Sequence, residues 1–269
     1  MSLDWGYAQN NGPATWVEKY PQAGGTRQSP VDIDPSKALP DAALDAEPLS
    51  WRYVDGCARA LANTGYGWKV DVDGAGSLLK GGPLDAEYTL EQFHCHWGCN
   101  SDEGSEHTVG GRAYAGELHL VHWNSTKYSS FGEAASQPDG LAVLGILLQS
   151  GEANEELEKI VKRLSEVQHR GEKIKISDPI NPVKFLPEET AYWTYLGSLT
   201  TPPCNESVIW ILFKQAIEVS DEQLAAFRQL RCYAAGEECP CDELRGFVSL
   251  NYRPPLPLGE RQLRESRVA

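Results

Sequence analysis

Positive charge and long apolar runs are both scarce in this chain of 269 residues. Its 24 Lys and Arg residues are outnumbered by 38 Asp and Glu residues, which gives a net charge of −14. A field of that sign repels phosphate backbones and anionic lipids, so we expect no nucleic-acid partner and no membrane partner. The longest apolar run covers only residues 141–148, whereas a membrane-spanning helix needs about 20 apolar residues.

Cysteine is also sparse. Seven cysteines among 269 residues are about 2.6% of the chain (7/269), far below the share of roughly 8% or more that is typical of disulfide scaffolds. The first residues contain neither a basic cluster nor an apolar stretch of the secretory type. We therefore expect a soluble, cytoplasmic protein without a leader.

Local patterns predict a fold dominated by strands. Alternating or continuous apolar runs bounded by turn residues predict strands at 68–72, 92–97, 117–123, 141–149 and 207–213. Helices are fewer: the patterns predict one at 155–167, one that begins at Ser220 with a capping box to Gln223, and a short one at 129–136. No linker is visible, so the sequence predicts one β-dominated α+β domain over residues 1–269.

Histidine gives the strongest chemical signal, because there are only six in the chain. Side chains alternate along a strand, so His94 and His96 share one face with Gln92, whereas Phe93, Cys95 and Trp97 point into a core. In the strand at 117–123, the residues that share one face are Glu117, His119 and Val121. If these two strands are neighbours, three imidazoles converge.

Three neutral imidazoles are suitable ligands for Zn²⁺, and a fourth position left to water is typical of catalytic zinc. Each ligating imidazole needs an acceptor for its second N–H, and Gln92 and Glu117 are placed to accept from His94 and His119. The alternative is that these are ordinary strand histidines. We assign the other three histidines a structural role: His107, His122 and His169.

The segment Gln92-Phe93-His94-Cys95-His96-Trp97-Gly98 resembles the signature of the α-class carbonic anhydrases. The resemblance continues in order along nearly the whole chain, at 5–7, 27–33, 104–109, 117–123, 138–145, 192–195, 197–203 and 251–255. Residues 237–241 resemble the cytosolic insect members. The family resemblance implies a single domain around a large, twisted, mostly antiparallel sheet with short peripheral helices.

The resemblance also implies a reaction, the reversible hydration of carbon dioxide to bicarbonate and a proton, inhibited by sulfonamides. Zinc on His94, His96 and His119 would supply a bound hydroxide near neutral pH, a property already known for carbonic anhydrases. Thr200 would orient this hydroxide while Glu106 accepts the Thr200 proton. The partners would be small molecules only, and the protein would be a monomer.

Further roles are implied for the walls of the cleft. The apolar side chains that would hold carbon dioxide are Val121, Val143, Leu199, Val208 and Trp210. For Val143, Val208 and Trp210, plain core packing explains the sequence equally well. Thr201 and Tyr7 match polar positions, and the Asn251 carbonyl would accept from His96.

One position in the cleft departs from the family pattern. Tyr66 stands where the fastest members have a proton-shuttling His, and a tyrosine pKa near 10 suits proton exchange at neutral pH poorly compared with a histidine pKa near 6.5. We therefore predict that proton transfer limits turnover. Secreted members pair a Cys near the N-terminus with the position of Cys204, but residues 1–50 contain no Cys. Cys204 should therefore be a free thiol.

Two other functions fit the sequence less well. Acatalytic relatives of the family act as binding modules, but they lack at least one of the zinc histidines. An unrelated zinc hydrolase would need a general-base carboxylate next to the metal, as in His-Glu-x-x-His, and the sequence has no such motif.

Overall fold

The computed structural model describes residues 3–267, so the two residues at each end of the predicted 1–269 domain lie outside the described residues. The strands, numbered in chain order, are β1 (Asp32–Ile33), β2 (Leu39–Pro40), β3 (Ser50–Arg52), β4 (Ala58–Asn63), β5 (Trp68–Val72), β6 (Leu78–Gly81), β7 (Leu84–Trp97), β8 (Thr108–Val109), β9 (Gly116–Asn124), β10 (Leu141–Ser150), β11 (Lys173–Lys175), β12 (Tyr192–Gly197), β13 (Val208–Phe213), β14 (Ile217–Val219) and β15 (Arg264–Glu265).

The helices are short. The α-helices are α1 (Trp16–Lys19), α2 (Ala42–Ala46), α3 (Phe131–Ala134), α4 (Glu155–Val161) and α5 (Asp221–Phe227). Single 3₁₀ turns cover Pro13–Thr15, Pro21–Gly24, Leu164–Val167 and Pro182–Phe185. No helix in the described part of the chain is long and apolar enough to cross a lipid bilayer.

One large sheet organises the chain. Its main path has the strand order β11-β4-β5-β7-β9-β10-β13-β12-β15-β2. Most neighbours along this path are antiparallel, and the exceptions are the parallel pairs β10–β13 and β15–β2. The predicted β-dominated α+β class is therefore confirmed, with β7 and β9 in the middle of the sheet, where both faces are covered.

A separate hydrophobic cluster covers each face of the sheet. The helix-side core contains Phe93, Cys95 and Trp97 of β7 together with Leu157 of α4 and Phe227 of α5. The other core lies on the face of the sheet that carries His94 and His119, and it is called the cavity-side core because a cavity described below opens on that face. It contains side chains from the strands in the middle of the sheet, namely Val121, Val143, Leu147, Trp210 and Leu212. The alternation predicted for β7 is thus confirmed: its odd-numbered residues from Phe93 onward fill the helix-side core.

The helix predicted at 155–167 is too long. The α-helix ends at Val161, and Leu164–Val167 is a 3₁₀ turn. The reason is a tightening of the backbone, in which the N–H of Arg163 bonds to the carbonyl of Ile160 and the N–H of Glu166 bonds to that of Arg163. The other two helix predictions are confirmed in shorter form, and the Ser220–Gln223 capping box is present in full.

Candidate metal centre

Three imidazoles converge on the cavity side of β7 and β9. The two strands pair antiparallel with His94 directly opposite His119, and His96 projects on the same face two residues further along β7. One ring nitrogen from each of the three histidines lies within 4.8 Å of the others. The Nε2 atoms of His94 and His96 are 3.1 Å apart, so the cluster has the size of a single coordination shell.

Each ring is fixed by an acceptor on its far side. His94 Nδ1 donates to Gln92 Oε1 at 2.8 Å, His96 Nδ1 to the Asn251 carbonyl at 2.7 Å, and His119 Nε2 to Glu117 Oε1 at 2.7 Å. These bonds leave the opposite nitrogen of each ring unprotonated and turned toward the cluster. Such outer partners set both the tautomer and the orientation of metal-binding histidines.

Burial keeps the three rings neutral. It lowers the pKa of His94 well below the ordinary value, with His96 and His119 adding to the effect. Burial likewise lowers the pKa of His96 to about 3, and it also lowers the pKa of His119. Neutral rings whose lone pairs face one another at short range repel, and a cation between them would relieve that repulsion. The donor set therefore fits a divalent metal, and three imidazoles suit zinc.

Glu117 is the buried hub behind the cluster. Its Oε1 accepts from His119 and from His107 Nδ1, each at 2.7 Å, and its Oε2 accepts from the backbone N–H groups of Glu106 and His107 at 2.9 and 2.8 Å. Burial raises the carboxyl's pKa, but His107, His119 and the bonds they donate hold it well below its ordinary value. His107 continues the network to the Tyr195 hydroxyl at 2.7 Å.

His107 therefore takes part in the hydrogen-bond network behind the cluster, a role that the sequence did not predict. Its position in a loop gave no periodic signal, and the only available hint was that it follows Glu106 directly. His122 and His169 lie away from the cluster: His122 is buried against Tyr53, and the ring of His169 packs edge-on against that of Tyr233.

Glu106 carries an unsatisfied acceptor beside the cluster. Its Oε1 accepts from the Arg253 N–H at 2.9 Å, whereas its Oε2 lies 3.4 Å from His96 Nε2 and has no hydrogen-bond partner among residues 3–267. Burial, followed by the charge on Glu117, raises the pKa of Glu106 well above its ordinary value, and Thr200 acts against this as a nearby donor. Because a metal would favour the charged form, this buried atom is a second indication of a cationic site.

A cavity opens from the cluster to the surface. It is lined on the polar side by Lys69 and by residues that the sequence singled out, namely Tyr7, Tyr66, Gln92, His94, His96, Thr201 and Asn251. Trp5 also lines it, and the Tyr66 ring is stacked on the Trp5 ring with centroids 3.6 Å apart and an interplanar angle of 4°. Trp5 was not predicted as a site residue, although it lies in the first matched segment.

The predicted apolar wall lies deeper. Val121, Val143 and Trp210 stand side by side on three adjacent strands, since Val143 pairs with both of the others. Trp210 also lies edge-on to His119, with ring centroids 4.8 Å apart. Val208 is buried in the same cavity-side core, and Leu199 packs against it. None of these five residues lines the cavity described above, so their role as a wall for the substrate stays a prediction.

Comparison with known proteins agrees with this arrangement. A family model described as eukaryotic-type carbonic anhydrase matches residues 11–267. A curated relative, carbonic anhydrase 1 of Mus musculus, is 47% identical over 267 residues, an alignment that covers 98% of this chain and 99% of the relative.

Proposed function

The chain belongs to the eukaryotic-type carbonic anhydrase family, and from this premise we propose that it catalyses the reversible hydration of carbon dioxide to bicarbonate and a proton with the help of zinc. The observation that carries the proposal is the complete cluster of three neutral imidazoles, with the buried Glu106 carboxyl beside it. Acatalytic binding modules of this family lack one of these rings, so the complete cluster favours an enzyme.

His94, His96 and His119 would hold the metal through the nitrogens that face one another. When bound, zinc supplies a coordinated water that ionises near neutral pH, as is known for carbonic anhydrases. The chain itself contributes the geometry: Gln92, Glu117 and the Asn251 carbonyl keep each ring in the tautomer that leaves a lone pair on the cavity side.

Thr200 is proposed to orient the attacking oxygen. A hydroxyl has one proton to donate, and an ionised carboxylate can only accept. If the Thr200 proton goes to Glu106, the Thr200 oxygen can only accept, which fixes the direction of the hydrogen bond from the nucleophile. The proximity of Thr200, which lowers the pKa of Glu106, supports this pairing. Thr200 is 5% exposed, so bulk water competes little.

Carbon dioxide needs a dry surface more than a hydrogen-bond clamp. We propose that Val121, Val143 and Trp210 provide it, together with Leu199 and Val208, because Trp210 lies against His119, the two valines and Val208 are buried, and Leu199 packs against the same core. Thr201 and Tyr7 would line the wet side, where bicarbonate and protons leave.

The proposal also covers the compartment and the oligomeric state of the enzyme. Seven unpaired cysteines favour a reducing compartment, so we propose a cytoplasmic enzyme. The large exposed apolar side chains in the described part of the chain sit on different elements, namely Val17, Leu39, Val54, Val183 and Leu196. This scatter supports a monomer that acts on small molecules alone.

Metal analysis combined with stopped-flow carbon dioxide hydration tests the proposal. We expect close to one zinc per chain and hydration that a sulfonamide inhibits. In His94→Ala both zinc content and turnover should fall together, whereas His169→Ala should match the parent, because His169 lies away from the cluster. A parent protein that binds zinc fully yet hydrates no carbon dioxide would be a binding module, and the enzyme proposal would be wrong.

A further inference from the structure

Strand β7 carries a bulge next to its metal-binding end. Leu90 pairs with His122 of β9, but Gln92 pairs with Val121, so Glu91 is an extra residue in the ladder. Two residues of a bulged strand then oppose one residue of its partner, and such bulges redirect side chains next to active sites. The consequence is that Glu91, as well as Gln92, turns toward the cavity face of the sheet.

The surroundings of Glu91 agree with this placement. The Glu91 carboxyl interacts with Lys69 and Asp71 of β5 and with the indole N–H of Trp123 on β9. Lys69 lies opposite His94 and Asp71 opposite Gln92, and Lys69 itself lines the cavity. Trp123 packs against the cavity-side core. Glu91 is half-buried and does not itself line the cavity, but it neighbours Gln92 and Lys69, which do.

Two other ionisable groups of this region, Tyr66 and Asp71, are poorly suited to exchange protons near neutral pH. Burial raises the pKa of Tyr66 to about 12. Asp71 is bound by Lys69 at 2.9 Å and by Lys173 of β11 at 2.7 Å. Burial opposes them, but these two lysines lower the pKa of Asp71 overall, so it stays ionised.

The pKa of Glu91 is displaced toward neutral pH, whereas the pKa values of Tyr66 and Asp71 are displaced away from it. Burial raises its pKa and the charge of Asp71 adds to this, while Lys69 and Trp123 oppose the shift, and the net change is upward. A carboxyl displaced in this direction moves closer to the working pH, which is the condition for an efficient proton acceptor and donor.

We propose that Glu91 relays protons between the cavity water and bulk solvent, a role that position 66 cannot fill in this chain. The proposal rests on the proposed function. In the hydration direction the carboxylate accepts one proton through water in the cavity beside Gln92 and Lys69, and then gives that proton to water or buffer base outside. An ordinary carboxyl is more acidic than imidazole, so the relay should remain slower than a histidine shuttle and sensitive to added buffer.

The kinetic test is Glu91→Gln in the zinc-loaded protein at low buffer concentration. We expect kcat for carbon dioxide hydration to fall about threefold or more, because the relay is lost, with kcat/KM for carbon dioxide nearly unchanged. Imidazole added at increasing concentration should restore kcat. Glu91→Asp should retain more turnover than Glu91→Gln. Glu87→Gln is the matched control, since Glu87 is an exposed carboxylate on the same strand.

A second readout does not depend on activity. With ¹³C-labelled glutamate carboxyls, the Glu91 signal is assigned by its absence from Glu91→Gln and then titrated. We expect its midpoint to lie above the ordinary value of a glutamate carboxyl in both zinc-free and zinc-loaded protein.

The possible outcomes distinguish a failure of the proposed function from a failure of the proton relay alone. A zinc-loaded parent without hydration activity would overturn the proposed function and the relay with it. An active parent whose Glu91→Gln variant keeps the same kcat at low buffer would overturn the relay alone. Equal losses in kcat and kcat/KM would also overturn it, because they would indicate a packing defect at the bulge.

Discussion

Tyr66 is held in place by an aromatic stack. Its ring lies flat on Trp5, and burial raises its pKa to about 12. We predict that Tyr66→His raises kcat for carbon dioxide hydration at low buffer by about threefold or more, because an imidazole with a pKa near 6.5 exchanges protons readily at neutral pH. Stopped-flow measurements over a series of imidazole concentrations check this.

The buffer series provides the internal control for Tyr66→His. At saturating imidazole the exogenous base carries the protons, so the variant and the parent should reach the same kcat. No gain at low buffer would show that proton exit does not limit the parent enzyme.

A glutamine at position 117 could not accept all of the hydrogen bonds that the Glu117 carboxylate accepts. Its two oxygens accept from two imidazoles and two backbone N–H groups. If the Gln oxygen faced the backbone donors, its NH₂ would donate to His119 Nε2 and move that ring's proton to the nitrogen facing the cluster. In the opposite orientation, the NH₂ would meet two N–H donors.

We therefore predict that Glu117→Gln weakens zinc binding by about 10- to 100-fold and lowers the free energy of unfolding by at least about 2 kcal/mol. Competition with a chelator and urea unfolding of the zinc-free protein measure the two effects. Glu188→Gln, at an exposed position, is the control. Parent-like zinc affinity in Glu117→Gln would mean that the tautomer of His119 does not depend on this carboxylate.

At the scale of the elements, strand alternation explains what the sequence could predict about the site. A period of two residues places His94, His96 and Gln92 on one face and Phe93, Cys95 and Trp97 on the other, and both sets lie where the alternation requires. Alternation says nothing about which strands are neighbours. The pairing of His94 with His119 therefore cannot be deduced from the alternation, and it is established only by the order of the strands in the sheet.

Strand periodicity predicts the wrong face of the sheet for Glu91, because this residue lies at a bulge. Strict alternation places Glu91 on the same face as Phe93, in the helix-side core, whereas the extra residue in the ladder turns it toward the cavity. The bulge shifts the phase of the apolar pattern, because the core side chains are Tyr88 and Leu90 before it and Phe93 and Cys95 after it, but the predicted strand began only at residue 92. Glu91 was therefore absent from the predicted site, although it is adjacent to Gln92.

Loop residues of the site could not be placed from local sequence at all. Asn251 contacts His96 and Trp97 across more than 150 positions of the chain, and Glu106 meets Arg253 across 147. Contacts of this range depend on how the whole chain closes. Only the family resemblance pointed to Asn251, Glu106 and Thr200, and their catalytic roles stay predictions.

For the molecule as a whole, the cysteines show whether the fold depends on disulfide bonds. None of the seven forms a disulfide, and all of them lie within residues 3–267. Cys204, the position that secreted relatives pair, is completely buried, and burial raises its thiol pKa to about 11. The expected free thiol at Cys204 is therefore confirmed, and it is also shielded from reagents.

The native and unfolded proteins should accordingly differ in thiol reactivity. Cys99, Cys239 and Cys241 are exposed, whereas Cys57, Cys95 and Cys204 are buried and Cys232 is intermediate. Because the thiolate is the reactive form, we predict that Ellman's reagent titrates the three exposed thiols first and the buried ones only on unfolding. In denaturant the count should reach seven, as expected for a chain without disulfides. A count below six without added reductant would reveal a disulfide, and it would remove the main support for placing this enzyme in a reducing compartment.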